Sequence, residues 1–254
     1  MGRLDGKVAV VLGASGAGSM GQQTARRFTD EGAKVVVAAR RLEPLQALAK
    51  DIGGTAVACD ISDEAQVANV AKTAVDTYGG LHAAVNFAGI NVSGPIAECT
   101  AENLKDAIDI HFVGSILFIK HMAANMKDGG SIITTSTLTE TLGAPGMAAY
   151  AGTKGGVNSV VRIAATEYGA QNIRVNSITP GLVRSEMTEY VFAQMPNVAA
   201  VFERETRLPR LGTIEDIANT VLFLASDEAF ITGQNIQPNG GASLGKFPGP
   251  EDFA

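Results

Sequence analysis

Short apolar runs rich in β-branched residues alternate along the chain with segments whose apolar residues recur every three or four positions. The runs at 7–12, 34–38, 55–59, 82–86, 131–135, 172–177 and 234–237 have the length of strands buried on both faces. Between them, 20–31, 42–52, 63–77, 101–109, 112–126, 148–169 and 214–225 carry the helical period. Two helix starts are well marked: Ser62-Asp63-Glu64 and Thr213-Ile214-Glu215-Asp216 each place a capping side chain before first-turn acids. Strands that alternate with helices pair in parallel through right-handed crossovers, which predicts an α/β fold: one doubly wound, seven-stranded parallel sheet with helices on both faces. The pattern gives a single domain over 1–243. The remainder, 244–254, is expected to be loose because Pro248, Gly249 and Pro250 oppose extended secondary structure.

Composition narrows the class. The chain has 254 residues, 46% hydrophobic and 18% charged, enough apolar surface for one large core. A net charge of −6 with scattered basic residues argues against nucleic-acid partners. Cys59 and Cys99 have neither metal-ligand spacing nor a disulfide framework, which suits a reducing cytoplasm and no bound metal. No apolar run approaches the length of a membrane span, and Met1-Gly2-Arg3-Leu4-Asp5 lacks a signal core, so a soluble protein without membrane partners is expected.

The chemistry concentrates in three places. After the first strand, Gly13-Ala14-Ser15-Gly16-Ala17-Gly18-Ser19-Met20-Gly21 leads into a helix, the start of a dinucleotide-binding βαβ unit. Such glycines let the backbone approach a pyrophosphate, and the helix N-terminus offers free N–H groups. After the second strand stand Arg40 and Arg41, where NAD binders usually place an acid; paired guanidinium forks suit the extra phosphate of NADP, with NAD still possible. Tyr150 and Lys154 in Tyr-Ala-Gly-Thr-Lys lie on one helix face, so the ammonium is expected to move the phenol pKa down from its usual value near 10. That makes a proton donor and acceptor for an alcohol/ketone pair.

Taken together, the turn after the first strand, Asp60 after the third, Asn86-Phe87-Ala88-Gly89 after the fourth, Tyr150 with Lys154, and Pro180-Gly181 resemble the short-chain dehydrogenase/reductase family over the length up to about residue 243. The resemblance implies an NADP-preferring oxidoreductase that moves a hydride between nicotinamide and a carbonyl carbon, with Tyr150 as general acid and base. It implies cofactor contacts from Gly13, Ser15, Ser19, Met20 and Gly21, and from Arg40 and Arg41. Asp60 with Ile61 would meet the adenine, and Asn86 with Ala88 and Gly89 the adenosine ribose. Pro180, Gly181, Val183 and Ser185 would meet the carboxamide side, and Lys154 the nicotinamide ribose. A substrate lid over about 186–208 and a homodimer or homotetramer paired through the helix after Tyr150 also follow from the resemblance. A noncatalytic NADP-binding regulator and a sugar-nucleotide epimerase are the other classes the motifs allow.

Departures from the family pattern touch the chemistry. The glycine turn is two residues longer than Gly-x-x-x-Gly-x-Gly, with Ser19 at the middle glycine. Phe87 stands for an Asn, and Asn239 for the Asp before the late Gly-Gly. The catalytic serine position, thirteen residues before the tyrosine, is Thr137, with Ser136 just ahead of it as the other hydroxyl. His111 stands where the family has a helix asparagine. It can titrate and join a proton path, or be a buried histidine that satisfies its hydrogen bonds. Around this centre Val92, Leu138, Leu142, Met147, Leu182, Met187, Tyr190, Phe192, Met195 and Phe202 suggest an apolar wall and a hydrophobic ketone or alcohol substrate, or else a lid packed on itself. Arg184 and Arg210 are the nearest cations for an anionic substrate.

Overall fold

Seven strands lie side by side and parallel in the computed structural model, which describes residues 1–253. They are β1 (Val8–Leu12), β2 (Lys34–Ala39), β3 (Thr55–Ala58), β4 (Ala83–Asn86), β5 (Gly130–Thr135), β6 (Ile173–Ile178) and β7 (Asn235–Ile236), in the order β3-β2-β1-β4-β5-β6-β7. Every residue of β1 is buried. Successive side chains of a strand face opposite ways, so Val8, Val10 and Leu12 join one core while Ala9 and Val11 join the other. The chain runs outward from β1 to β2 and β3, then returns to place β4 on the other side of β1. That reversal leaves a crevice beyond the carboxyl ends of β1 and β4, where Leu12 pairs with Asn86.

Helices α1 (Met20–Asp30), α2 (Leu42–Ile52), α3 (Glu64–Tyr78), α4 (Ala101–Ala107), α5 (Gly114–Asn125), α6 (Leu138–Thr141), α7 (Ala148–Tyr168), α8 (Glu189–Gln194), α9 (Val198–Glu205) and α10 (Ile214–Ala225) complete the fold. The first core lies under α3, α5 and α7 through Val67, Phe118 and Val157; the second lies under α1, α2 and α10 through Phe28, Leu45 and Val221. The marked helix starts form as read. Asp63 accepts from the Gln66 N–H, and Thr213 with Asp216 forms a reciprocal capping box.

The helices expected at 101–109 and 112–126 are one continuous stretch, Ala101–Asn125, joined by a π-helical turn at Ile108–Val113. At 25 residues and a mean hydropathy of 1.3, this stretch is long and apolar enough to cross a membrane by length and composition alone. The expectation that nothing in the chain approaches that length is therefore corrected: the polar residues around 105–111 divide the run on paper, and the backbone does not. Here Phe118, Ile119 and Met122 of the stretch are packed into the first core.

The segment 186–208 contains α8 and α9, which the periodicity did not announce. Beyond it, Phe247 meets Phe202 edge-on at 5.6 Å, the Lys246 N–H donates to Glu205 Oε2 at 3.2 Å, and Lys246 pairs with Asp252 at 2.8 Å. Those contacts lay part of the expected loose tail against α9; Ala254 falls outside the described residues.

Candidate active site

The crevice at the switch point is a cleft of about 700 Å³. On one side lies the glycine turn. Gly13 has φ of +90°, and a Cβ there would sit 2.7 Å from the Ala88 nitrogen, so only a glycine lets this turn press on the loop after β4. A Cβ on Gly21 would sit 2.5 Å from the Gly13 carbonyl oxygen, so glycine seats the start of α1 against the strand end. The two extra residues are absorbed before Ser19, which is the N-cap: its Oγ accepts from the Gln22 N–H at 3.2 Å. Met20 and Gly21 then open α1 on the cleft, where first-turn N–H groups lack helical partners.

The other predicted cofactor residues spread around the same cleft. Gly13, Ser15, Ser19, Arg40, Arg41, Asp60 and Ile61 line one end, and Ala88, Gly89, Pro180, Gly181, Val183 and Ser185 line the rest. Asp60 orders its own loop, accepting from Ser62 N and Oγ through Oδ1 at 3.0 and 2.7 Å. Lys154 is one exception and Asn86 the other. The Asn86 side chain is buried, accepts from the Ala88 N–H at 2.9 Å and reaches Ser115, so it shapes the loop from behind instead of facing the cleft.

Tyr150 and Thr137 share the floor. Tyr150 stands near the start of α7, and Thr137, at the cap of α6, lies close enough to lower the phenol pKa. The Thr137 hydroxyl bonds Thr139 Oγ1 at 3.0 Å and accepts from the Thr139 N–H at 3.3 Å. Ser136 also lines the cleft, but its hydroxyl accepts from Asn158 Nδ2 at 2.9 Å, and Asn158 Oδ1 accepts from Ser177 at 2.8 Å, a buried chain that ties α7 to β6. Of the two candidate hydroxyls, Thr137 is the one brought to the phenol. Asn158 follows Lys154 by four residues, a helical spacing from which its place on this face could have been read.

Lys154 lies one turn along α7, its Nζ 6.0 Å from the Tyr150 ring centre and donating to the Thr135 carbonyl at 2.8 Å. Burial pushes its pKa down to about 8. The phenol goes the other way from the sequence expectation. Burial pushes its pKa up, and the Thr137 hydroxyl only partly offsets that. Spacing placed the ammonium near the ring, but burial of the phenol, not the ammonium, sets the direction of the shift.

His111 sits in the π-helical turn with no exposed surface. Its Nε2 accepts from the Ile90 N–H at 3.0 Å, which requires that nitrogen to be unprotonated. The ring proton is therefore on Nδ1, which donates to Thr153 Oγ1 at 3.0 Å, and the Thr153 hydroxyl bonds the Ala149 or Tyr150 carbonyl. Burial first, and the Lys154 charge second, push the His111 pKa down to about 3. The satisfied, neutral histidine is thus the reading the geometry favours over a titrating relay. Thr153, inside the Tyr-to-Lys segment, was the partner that sequence did not single out.

A stability consequence follows. The unfolded chain takes up a proton on this histidine near pH 6.5, and the folded one does so only near 3. Folding is therefore favoured in full above pH 6.5, and that contribution is lost as pH falls through the window toward 3. His111→Asn is expected to flatten the fall in Tm between pH 6.5 and 4. Parallel Tm curves for both proteins would contradict the assignment.

The wider wall is only partly as expected. Leu182 and Met187 line the cleft, together with Phe87, Ile90 and Ile110. Phe202 instead packs on Phe247, and Phe192 lies under the Arg184 guanidinium at 5.1 Å. Arg184 donates to both carboxylate oxygens of Glu189 at 2.9 and 2.7 Å, and Arg210 pairs likewise with Asp216. Both cations suggested for an anionic substrate are therefore neutralised within the chain. Two contacts of the 186–208 segment went unread: Asn91 Nδ2 donates to the Tyr190 hydroxyl at 2.6 Å, and Glu186 binds Arg41. Neither has a local signal, since the partners are distant in sequence. Among the described residues no three or more His, Cys, Asp or Glu side chains gather to hold a metal.

Comparison with known proteins agrees with this geometry. The model of the family described as enoyl-(acyl carrier protein) reductase matches residues 13–243. The chain is 36% identical to a mitochondrial borneol dehydrogenase of Lavandula x intermedia, over 95% of this chain and 92% of that protein. It is also 36% identical to a 3-alpha-(or 20-beta)-hydroxysteroid dehydrogenase of Mycobacterium bovis, over 96% and 92%. A short-chain type dehydrogenase/reductase from Mycobacterium ulcerans superposes with a TM-score of 0.91 at 29% identity, covering 97% of this chain and 93% of that one. With the sheet order, the glycine turn and the Tyr150–Lys154 helix in place, the chain belongs to the short-chain dehydrogenase/reductase family of oxidoreductases.

Proposed function

We propose that this oxidoreductase interconverts a hydrophobic, alicyclic secondary alcohol and its ketone, with NADP(H) preferred over NAD(H). The observation that carries the reading is that Tyr150 and Thr137 line one largely apolar cleft, with Lys154 Nζ 6.0 Å from the Tyr150 ring centre. A nicotinamide dinucleotide fits the residues present. Glycines at 13 and 21 let the turn close on the loop after β4 and seat the start of α1, whose opening supplies N–H groups for a pyrophosphate. Arg40 lines the same end, exposed and with no side-chain hydrogen bond or ion pair among the described residues, so its guanidinium is open to a phosphate. When bound, the reduced cofactor supplies a hydride to a carbonyl carbon.

The chain's own residues would handle the proton. At neutral pH the buried phenol is in its protonated form, which is the form that donates to a ketone oxygen. Thr137 Oγ1, on the same cleft wall, would donate to the substrate oxygen, while Lys154 would hold the nicotinamide ribose. The two neutralised arginines and the apolar lining favour an uncharged substrate. Relatives named for borneol and for hydroxysteroids point to alicyclic alcohols. Exposed Leu104, Ile108, Val113 and Ile116 along the 101–125 helix support a homodimer or homotetramer, and a monomeric mass by light scattering would remove that part.

The test is oxidation of NADPH and of NADH against cyclic, aromatic and charged ketones. Arg40→Ala is expected to raise the NADPH KM about tenfold and leave the NADH KM near its original value, as loss of one charged hydrogen-bonding group implies. Higher turnover with NADH, or with charged ketones, would overturn the corresponding part of the reading. Turnover only with an enoyl thioester would replace the substrate class altogether.

A further inference from the structure

Arg41, the second of the two arginines, already holds an anion, and the anion comes from the lid. Glu186 Oε1 lies 2.9 Å from Arg41 Nη1, and Oε2 accepts from Arg41 Nη2 at 3.0 Å. The same Oε2 accepts from the Ala17 N–H of the glycine turn at 2.9 Å. Arg41 is anchored on that turn by bonds to the Ser15 carbonyl at 3.2 Å and Oγ at 3.4 Å. Gly16 completes the seat, since a Cβ there would come 2.8 Å from Glu186 Oε2. A guanidinium fork and a backbone N–H of a glycine turn, converging on one pair of oxygens, are the donors that grip a phosphate oxygen pair. All of these residues except Ala17 line the cleft.

We infer that Glu186 occupies a cofactor-phosphate seat formed by Arg41 and the Ala17 N–H, so that a dinucleotide must displace this carboxylate to bind. Glu186 is then a specificity-determining residue that opposes the cofactor whose phosphate needs the seat. The inference rests on the reading that this cleft takes NAD(P). A phosphate and a carboxylate cannot share the donors, because like charges in contact repel and each guanidinium fork bonds one oxygen pair. Displacement would also release a polar tie between the lid and the glycine turn; the Asn91–Tyr190 bond joins the lid to the loop after β4. The two exposed partners make the tie salt-sensitive, so a cofactor can break it.

The experiment measures dissociation constants of NADPH and NADH for the wild type, Glu186→Gln and Glu186→Ala by titration of nucleotide fluorescence, at low and high salt. Both variants are expected to bind NADPH about tenfold more tightly than the wild type at low salt, with the gain shrinking as salt screens the pair. A gain confined to NADPH identifies the seat with the 2′-phosphate. An equal gain for NADH identifies it with the pyrophosphate that both cofactors carry. A wild type that binds NADPH, with variants that bind it equally or less well, overturns the inference and makes Glu186 a clasp over bound cofactor. A wild type that binds neither nucleotide fails the underlying reading instead.

Discussion

Tyr150→Phe is expected to lower kcat for ketone reduction by about 10²–10⁴-fold, the range for loss of a general acid, while leaving the NADPH dissociation constant within about twofold. The substitution deletes one oxygen and keeps the ring. The ring's edge-on contact with His111, centroids 5.2 Å apart, needs no hydroxyl. The fold should therefore survive, and the Thr137 hydroxyl keeps its bonds to Thr139. The loss should appear in kcat more than in KM, since the proton moves only in the transition state. In the wild type, the raised phenol pKa gives the direction of pH dependence. Reduction uses the protonated phenol and should hold up at neutral and mildly acidic pH. Oxidation needs the phenol deprotonated and should rise as pH rises. A variant retaining more than about a tenth of wild-type kcat would remove Tyr150 from the chemistry.

Gly13→Ala should be the most damaging of the small substitutions for stability. At φ of +90° a non-glycine residue is strained by about 1–3 kcal/mol. The added Cβ would also lie 2.7 Å from the Ala88 nitrogen and 2.7 Å from the Phe87 carbonyl carbon, both backbone atoms that cannot rotate away. Overpacking of that kind costs about 1–3 kcal/mol more. Together these predict a loss of about 2–6 kcal/mol by urea denaturation, and weaker nucleotide binding, because the turn and the β4 loop border the same cleft. Denaturation midpoints matching the wild type would show that the turn has room to relax.

The sheet was readable because its signals are local. All seven strands fall within a residue or so of the apolar runs, and Asp63 and Thr213 cap the helices whose starts they marked. The helices that escaped, α6, α8 and α9, are short, and the residues before α8 and α9, Thr188 and Asn197, make no side-chain cap bond. The π-helical turn was equally hidden, since a change of hydrogen-bond register inside a helix leaves no composition signal, and it splits one 25-residue stretch into two apparent helices.

The site divides the same way. Gly13, Gly21, Tyr150 and Lys154 could be named from spacing, because a turn between strand and helix and a four-residue helical step depend only on near neighbours. What those groups do electrically depends on the fold. The phenol pKa rises, the Lys154 pKa falls to about 8 and the His111 pKa falls to about 3 because β5, the π-helical turn and α7 together exclude water from one small volume. Arg41 looked like a cation waiting for a phosphate until the fold brought Glu186, 145 residues away, onto it. The chain by itself determined the order of strands and helices, the glycine turn and the Tyr–Lys pair, each set by residues a few positions apart. Tertiary structure alone decided protonation, charge pairing and which hydroxyl meets the phenol, because desolvation and Coulomb energy depend on distances between segments that only folding brings together.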